Sequence, residues 1–327
     1  MSKKAAVGIP IGSSDAGEFK KSLSGSDEDI KLSPEASRKN KKRRIVNIAM
    51  TSFIVVCAAV LVVCIVMIVN NLLDKKRGEE IYDDLADMFA PVTVDAGEDR
   101  TSGDDAPNKI EDNINGQLDD EGGKEEQSGS AYDMTNIRAS ISKLKEINSD
   151  VVGWISVENT KINYPLLRSS SGNDEYYLDH AANGEYLAVG SIFMVSNCDV
   201  KLDNNYNTLI YGHNVVNGAM FHDVMKFLDP EFFKTKIYIY TLDGIYVYQP
   251  FSIYQTRSDY NYIQTVFSSV GEFLSFAAEM KSNSQIWSDI SIGYGDTMIT
   301  LSTCTGTGVV SKDRYSLHAK LVEFIGG

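Results

Sequence analysis

The sequence predicts a mainly β protein, a closed or nearly closed antiparallel barrel, held to a membrane by one helix near its amino terminus. Three observations carry this. Residues 45–69 form an uncharged apolar run, and the chain beyond residue 150 is dense in short β-branched and aromatic runs separated by turns. Asp243-Gly244, between two of those runs, is a strong hairpin signal.

Taken from the amino terminus, residues 1–44 carry 11 Lys+Arg against 6 Asp+Glu, a balance of +5, and the first 37 are rich in Ser, Gly, Lys and Asp. That composition buries too little apolar surface to fold, so a disordered basic tail is expected. The run Ile45–Val69, IVNIAMTSFIVVCAAVLVVCIVMIV, holds 25 residues without a charge. At about 1.5 Å per residue it covers a hydrocarbon core roughly 30 Å thick. It exceeds the roughly 7–15 apolar residues of a signal peptide, and no small-residue cleavage site follows it.

The flanks of the span set its direction. Arg38, Lys39, Lys41, Lys42, Arg43 and Arg44 precede it, whereas Lys75, Lys76 and Arg77 follow it among Asp74, Glu79 and Glu80. Positive flanks stay in the cytoplasm, so a single-pass protein of the cell membrane is expected, its amino terminus cytoplasmic and the remainder extracellular.

Residues 70–131 are expected to form an extracytoplasmic linker. EEIYDDLADMF, with Ile81, Leu85, Met88 and Phe89, suits a short amphipathic helix within it. From Pro91 to Ser130 the chain turns to Asp, Glu, Gly and Asn. Residues 74–130 carry 6 Lys+Arg against 18 Asp+Glu, a balance of −12, which is the signature of a self-repelling spacer. The folded domain is expected over 132–327; residues 131–327 carry 14 against 21, a balance of −7. An acidic folded part excludes a phosphate-binding surface, and hence nucleic acid as a partner.

The domain opens on Ile137, Ile141, Leu144 and Ile147 at helical spacing. Eight strand-like runs follow: VVGWISV, KINYPLL, GSIFMV, NTLIYG, KIYIYTL, IYVYQPFSIYQ, DTMITLSTC and RYSLHAKLVEF. One helix interrupts them late, with Phe273, Phe276, Ala277 and Met280 as a stripe against the barrel wall.

Cysteine is sparse. Cys57 and Cys64 lie in the span as small apolar residues, leaving Cys198 and Cys304 outside, where they could pair as a disulfide or stay free. Cys304 ends the TLSTC strand on the face it shares with Thr300 and Ser302, next to a Gly-containing loop where a peptide could approach. A buried, inert thiol is the competing reading. A thiol nucleophile needs a proton-exchanging partner, and acyl transfer needs donors for an oxyanion. Of the four histidines, His213 in LIYGHN ends a strand just after a glycine, where an imidazole can project into a cleft, His180 falls in a loop, His222 at a turn or helix start and His318 inside the last strand, and on residue type alone each of the four fits a structural position. Arg314 begins the last strand, ten residues after the cysteine, where it could stand near the sulfur across a short loop and favour its thiolate, or be an exposed, solvated strand-start arginine. HExxH, paired CxxC, EF-hand, phosphate-loop and GxSxG patterns are missing, so neither a metal nor another cofactor is expected.

DVVGWISVENTKINYPLL, YYL, GSIFM, NTLIYGHN, GAMFHDV and TLSTC with its arginine ten residues on, in that order, resemble a sortase, specifically of class B. The resemblance covers roughly residues 132–327. It implies an eight-stranded sortase β-barrel with amino-terminal helices and an extra helix between late strands, where VGEFLSFAAEM lies. It implies a membrane-anchored cysteine transpeptidase in which Cys304, His213 and Arg314 form the catalytic trio. Ser302 and Thr303 would line the cleft, and Tyr262 and Ile263 would contact the sorting signal. The implied partners are secreted proteins bearing a carboxy-terminal sorting motif, cut at a threonine carbonyl through a thioacyl intermediate, and an amine of peptidoglycan or its lipid-linked precursor as acceptor. Such catalysis requires Cys198 and Cys304 to be free thiols. Residues 305–310 carry no shared signature. Three alternatives stay open at this point: a hydrolytic cysteine endopeptidase, a pilin-polymerising sortase and a non-catalytic membrane-tethered binding module.

Overall fold

The computed structural model describes residues 34–89, 93–94, 131–306 and 311–326. The first 33 residues of the basic tail, most of the acidic spacer after Phe89 and residues 307–310 of the loop after Cys304 lie outside the described residues. The chain divides into two units, Met1–Ile68 and Val69–Gly327. The first contains the apolar part of helix α1 (Pro34–Met88), which is long and apolar enough to cross a membrane.

The second unit opens on the rest of α1. Residues 70–88, placed in the linker from sequence, are helical, and Tyr82, Leu85 and Phe89 are buried in the domain core. The buried face differs from the expected one. Met88 is 43% exposed, and Tyr82 is drawn inward because its hydroxyl donates to the Gly190 carbonyl at 2.7 Å and lies 2.8 Å from Ser191 Oγ. Phe89 stacks on Trp154 with ring centroids 4.6 Å apart. Burying three such side chains favours docking of this segment by about 1.5–3 kcal/mol each.

Helix α2 (Met134–Ile147) starts where Asp133 accepts a hydrogen bond from the Asn136 amide at 3.0 Å, an N-cap that satisfies one orphan donor. Ile137, Ile141 and Leu144 are buried as their spacing predicts, while Ile147, the last helical residue, is exposed because the helix ends beneath it.

The eight strand-like runs form eight strands: β1 (Val151–Val157), β2 (Asn163–Arg168), β3 (Ile192–Met194), β4 (Asn207–Tyr211), β5 (Ile237–Thr241), β6 (Gly244–Arg257), β7 (Met298–Cys304) and β8 (Asp313–Gly326). They close into a barrel in the order β8-β6-β5-β1-β2-β3-β4-β7. The barrel is not wholly antiparallel. Strand β2 runs parallel to β3, and β4 parallel to β7. Two parallel neighbours cannot be joined by a tight turn, so each of these pairs requires a long connection. Tyr176–Leu178 forms a short 3-10 turn in the first connection, and β5, β6 and helix α3 (Val270–Ser282) all lie within the second. Ser269 caps α3, accepting from the Glu272 amide at 3.2 Å, and Phe273, Phe276, Ala277 and Met280 form its buried stripe.

Candidate active site

Strand β7 sits between β4 and β8, and these two neighbours set the site. On one side β7 and β8 pair antiparallel with Cys304 opposite Arg314, Ser302 opposite Ser316 and Thr300 opposite His318. On the other side β4 and β7 pair parallel with Tyr211 abreast of Ser302. The Gly212 amide continues that pairing by donating to the Ser302 carbonyl at 3.3 Å. The strand pairing ends there; His213 lies two residues beyond Tyr211, as Cys304 lies two beyond Ser302, and Arg314 faces Cys304 from β8.

His213, Cys304 and Arg314 line one cleft of about 640 Å³, with Ser302 and Thr303 in its wall and Asp174, Leu178 and Tyr211 around it. Cys304 is partly exposed and unpaired, and Cys198 is a separate, buried free thiol whose Sγ lies 3.7 Å from the Asn207 carbonyl. Burial pushes the Cys198 thiol up from its ordinary value, so it is held protonated.

His213 Nε2 lies 2.7 Å from the Leu178 carbonyl. A carbonyl only accepts, so Nε2 carries the proton there, and among the described residues Nδ1 has no hydrogen-bond partner. Gly212 precedes it for a steric reason. A Cβ at that position would come within 2.7 Å of the Phe221 ring, which packs beneath the turn. Arg314 directs Nη1 to the carbonyls of Ser311 and, at 3.1 Å, Asp313, and among the described residues Nε and Nη2 have no hydrogen-bond partner. The loop therefore braces the guanidinium while part of its donor fork stays available.

The floor of the cleft is built on a polar stripe along β7. Ser302 Oγ lies 2.9 Å from the Tyr262 hydroxyl, and Thr300 Oγ1 lies 2.9 Å from His318 Nδ1. Tyr262 is 2% exposed and stands behind Ser302. Its phenol is pushed up chiefly by burial, while the Ser302 hydrogen bond and the charge of Arg314 pull it down. Ile263 is half-buried between the two apolar clusters. Among the described residues the cleft lining includes neither of the two, in contrast to Ser302 and Thr303. His318 is fully buried, and burial pushes its imidazole down from 6.5 to about 3, so it is a neutral member of the core.

Some cleft residues were not singled out from sequence. Leu178 and Asn214 sit inside quoted motifs, YYL and YGHN, but no spacing rule gives a leucine or an asparagine a role. Asp174 gave no signal beyond a turn-rich stretch.

The Sortase domain family matches residues 155–322, more than half of the chain. The chain belongs to the sortase family. This sortase is 35% identical over 189 residues to sortase B of Listeria monocytogenes, an alignment covering 57% of this chain and 75% of that protein. Its fold is similar to the crystal structure of Bacillus anthracis sortase B in complex with AAEK1, with a TM-score of 0.57 at 30% identity, covering 77% of this chain and 99% of that one. It is also similar to the Staphylococcus aureus sortase B–substrate complex, with a TM-score of 0.53 at 34% identity, covering 57% of this chain and 86% of that one. The class B resemblance and the eight-stranded barrel expected from the motifs are thereby borne out, and the chain is a cysteine transpeptidase.

Proposed function

We propose that this sortase cuts secreted proteins at a threonine carbonyl within a carboxy-terminal sorting signal and joins the new acyl end to an amine of peptidoglycan or its lipid-linked precursor. Cys304 is the nucleophile. Its thiolate attacks the threonine carbonyl carbon, a C–S bond forms, and the carbonyl electron pair moves onto oxygen. The free donors of Arg314 meet that oxyanion, charge that exists only along the reaction path and is therefore stabilised selectively. Collapse breaks the C–N bond, and His213, which holds on Nδ1 the proton that the Cys304 thiol gave up on becoming a thiolate, delivers it to the departing amine. The acceptor amine then attacks the thioester, loses its proton to His213 and expels the thiolate. Ser302 and Thr303 hold the peptide along the cleft, and Tyr262 supports Ser302 from behind.

The observation that carries this reading is that Cys304, with Arg314 opposite it across the last strand pair, shares one cleft with His213. The remaining architecture fits it. The span 45–69 would keep the amino-terminal tail in the cytoplasm.

Water and an amine compete for the same thioester. Incubating the full chain in detergent with a pool of threonine-containing peptides, with and without an added primary amine, separates the outcomes by mass. Ligated product in excess of hydrolysed product supports transpeptidation to an amine, and hydrolysis alone at saturating amine contradicts it. A lysine side chain outcompeting peptidoglycan fragments as acceptor would redirect the reading to pilin polymerisation.

A further inference from the structure

The residue after the imidazole reaches back to the nucleophile. Asn214 is 5% exposed, and its Nδ2 donates to the Cys304 carbonyl at 2.9 Å and to the Thr305 carbonyl at 3.4 Å. Its Oδ1 lies 2.8 Å from Nδ1 of His222. The two ends of the amide fix each other's chemistry. Only the NH2 end can face two carbonyls, so Oδ1 must face the imidazole and His222 Nδ1 must be the donor. That bond holds whether His222 is neutral or carries a second proton on Nε2.

The peptide group between Cys304 and Thr305 is therefore held at both ends. Its carbonyl accepts from Asn214, and its amide, Thr305 N–H, donates to the Asp313 carbonyl at 3.2 Å. Fixing that plane fixes the last backbone torsion of Cys304, at the point where β7 stops and the loop begins. The other end of the tie is equally constrained. The 213–222 loop closes on itself through Phe221 N–H to the His213 carbonyl at 2.9 Å and an Asn214–Met220 bridge, and Met220 takes the unusual φ of 56°.

We propose that Asn214, oriented by His222, is a positioning residue that locks the backbone of the nucleophile to the loop carrying the catalytic imidazole. The inference rests on Cys304 and His213 acting as set out above. Without the tie, Cys304 keeps its strand but loses its fixed distance from His213, and small errors in such distances cost rate rather than binding.

The test uses the full chain in detergent with pooled threonine-containing peptides, following the thioacyl adduct on Cys304 by intact mass at limiting and saturating peptide. Asn214→Ala and His222→Leu are expected to slow the saturating rate about tenfold or more, with the half-saturating concentration changed less than about twofold. His222→Gln, whose amide can donate to the same Oδ1, is expected to stay within about threefold of the parent. If Asn214→Ala does not melt cooperatively, the two His222 variants decide. His222→Leu matching the parent, or Gln failing as Leu does in a folded protein, overturns the proposal. A parent that forms no Cys304 adduct overturns the nucleophile assignment as well, whereas a reactive parent with unaffected variants overturns the positioning role alone.

Discussion

Arg314 stands directly opposite Cys304 in the antiparallel pairing of the last two strands, so the ten-residue spacing between them measures a hairpin and not a helix. Residues directly opposite in such a pair have Cβ atoms about 4.5–5.5 Å apart. In the proposed reaction, a long guanidinium side chain at that place would turn its free donors to the carbonyl that the sulfur attacks.

Arg314→Ala should therefore lower the rate of thioacyl formation by about 10²–10³, the range found for losing one oxyanion donor. Arg314→Lys should recover only part of that, since an ammonium keeps the charge but not the planar fork. Rates at saturating peptide check this. An Ala variant within about threefold of the parent would remove Arg314 from the chemistry.

His318 makes the fold sensitive to acid. Its imidazole is buried and pushed down to about 3, against 6.5 when unfolded, so below pH 6.5 the unfolded chain binds the extra proton and the folded one does not. The contribution is complete above about pH 7 and is lost progressively as the pH falls from 6.5 towards 3. By pH 5 that amounts to about 2 kcal/mol. Urea melts of the parent and His318→Gln at pH 7 and pH 5 should show a smaller acid loss in the variant, and equal losses would contradict this origin.

Gly212→Ala should disturb the imidazole from below. A Cβ at 2.7 Å from the Phe221 ring forces either the ring or the turn to move. Overpacking of this kind costs about 1–3 kcal/mol. Phe221→Ala removes the Cγ and Cδ2 atoms that the new Cβ would strike, so Gly212→Ala should cost less in that background than in the parent, as read by thermal melting of the four proteins. An equal cost in both backgrounds would place the strain elsewhere.

Much of this architecture was legible in the sequence because its periodicities are local. Each of the eight β-rich runs became a strand, and the stripe Phe273, Phe276, Ala277 and Met280 is the buried face of α3. Strand direction was not legible. The parallel pairings of β2 with β3 and β4 with β7 depend on long connections whose ends meet only in three dimensions. The same limit applies at the cleft. His213, Cys304 and Arg314 carry reactive groups, so residue type drew attention to them. Asn214 contributes an amide whose partners, Cys304 and Thr305, lie 90 and 91 residues away, and no spacing rule connects them. Tyr262, which the resemblance alone implied as a contact of the sorting signal, is buried behind Ser302 by packing against β7. At Tyr82, a hydroxyl bonded to Gly190 overrode the helical apolar pattern that had favoured Met88.

The most direct measurement is the mass of the full-length enzyme after brief exposure to pooled threonine-containing peptides, in the parent and in Cys304→Ala. An acyl adduct should appear on Cys304 of the parent, vanish on addition of a primary amine with release of ligated peptide, and be missing from the variant. Ligation by Cys304→Ala at the parent's rate, or an adduct on any other residue, would contradict the account.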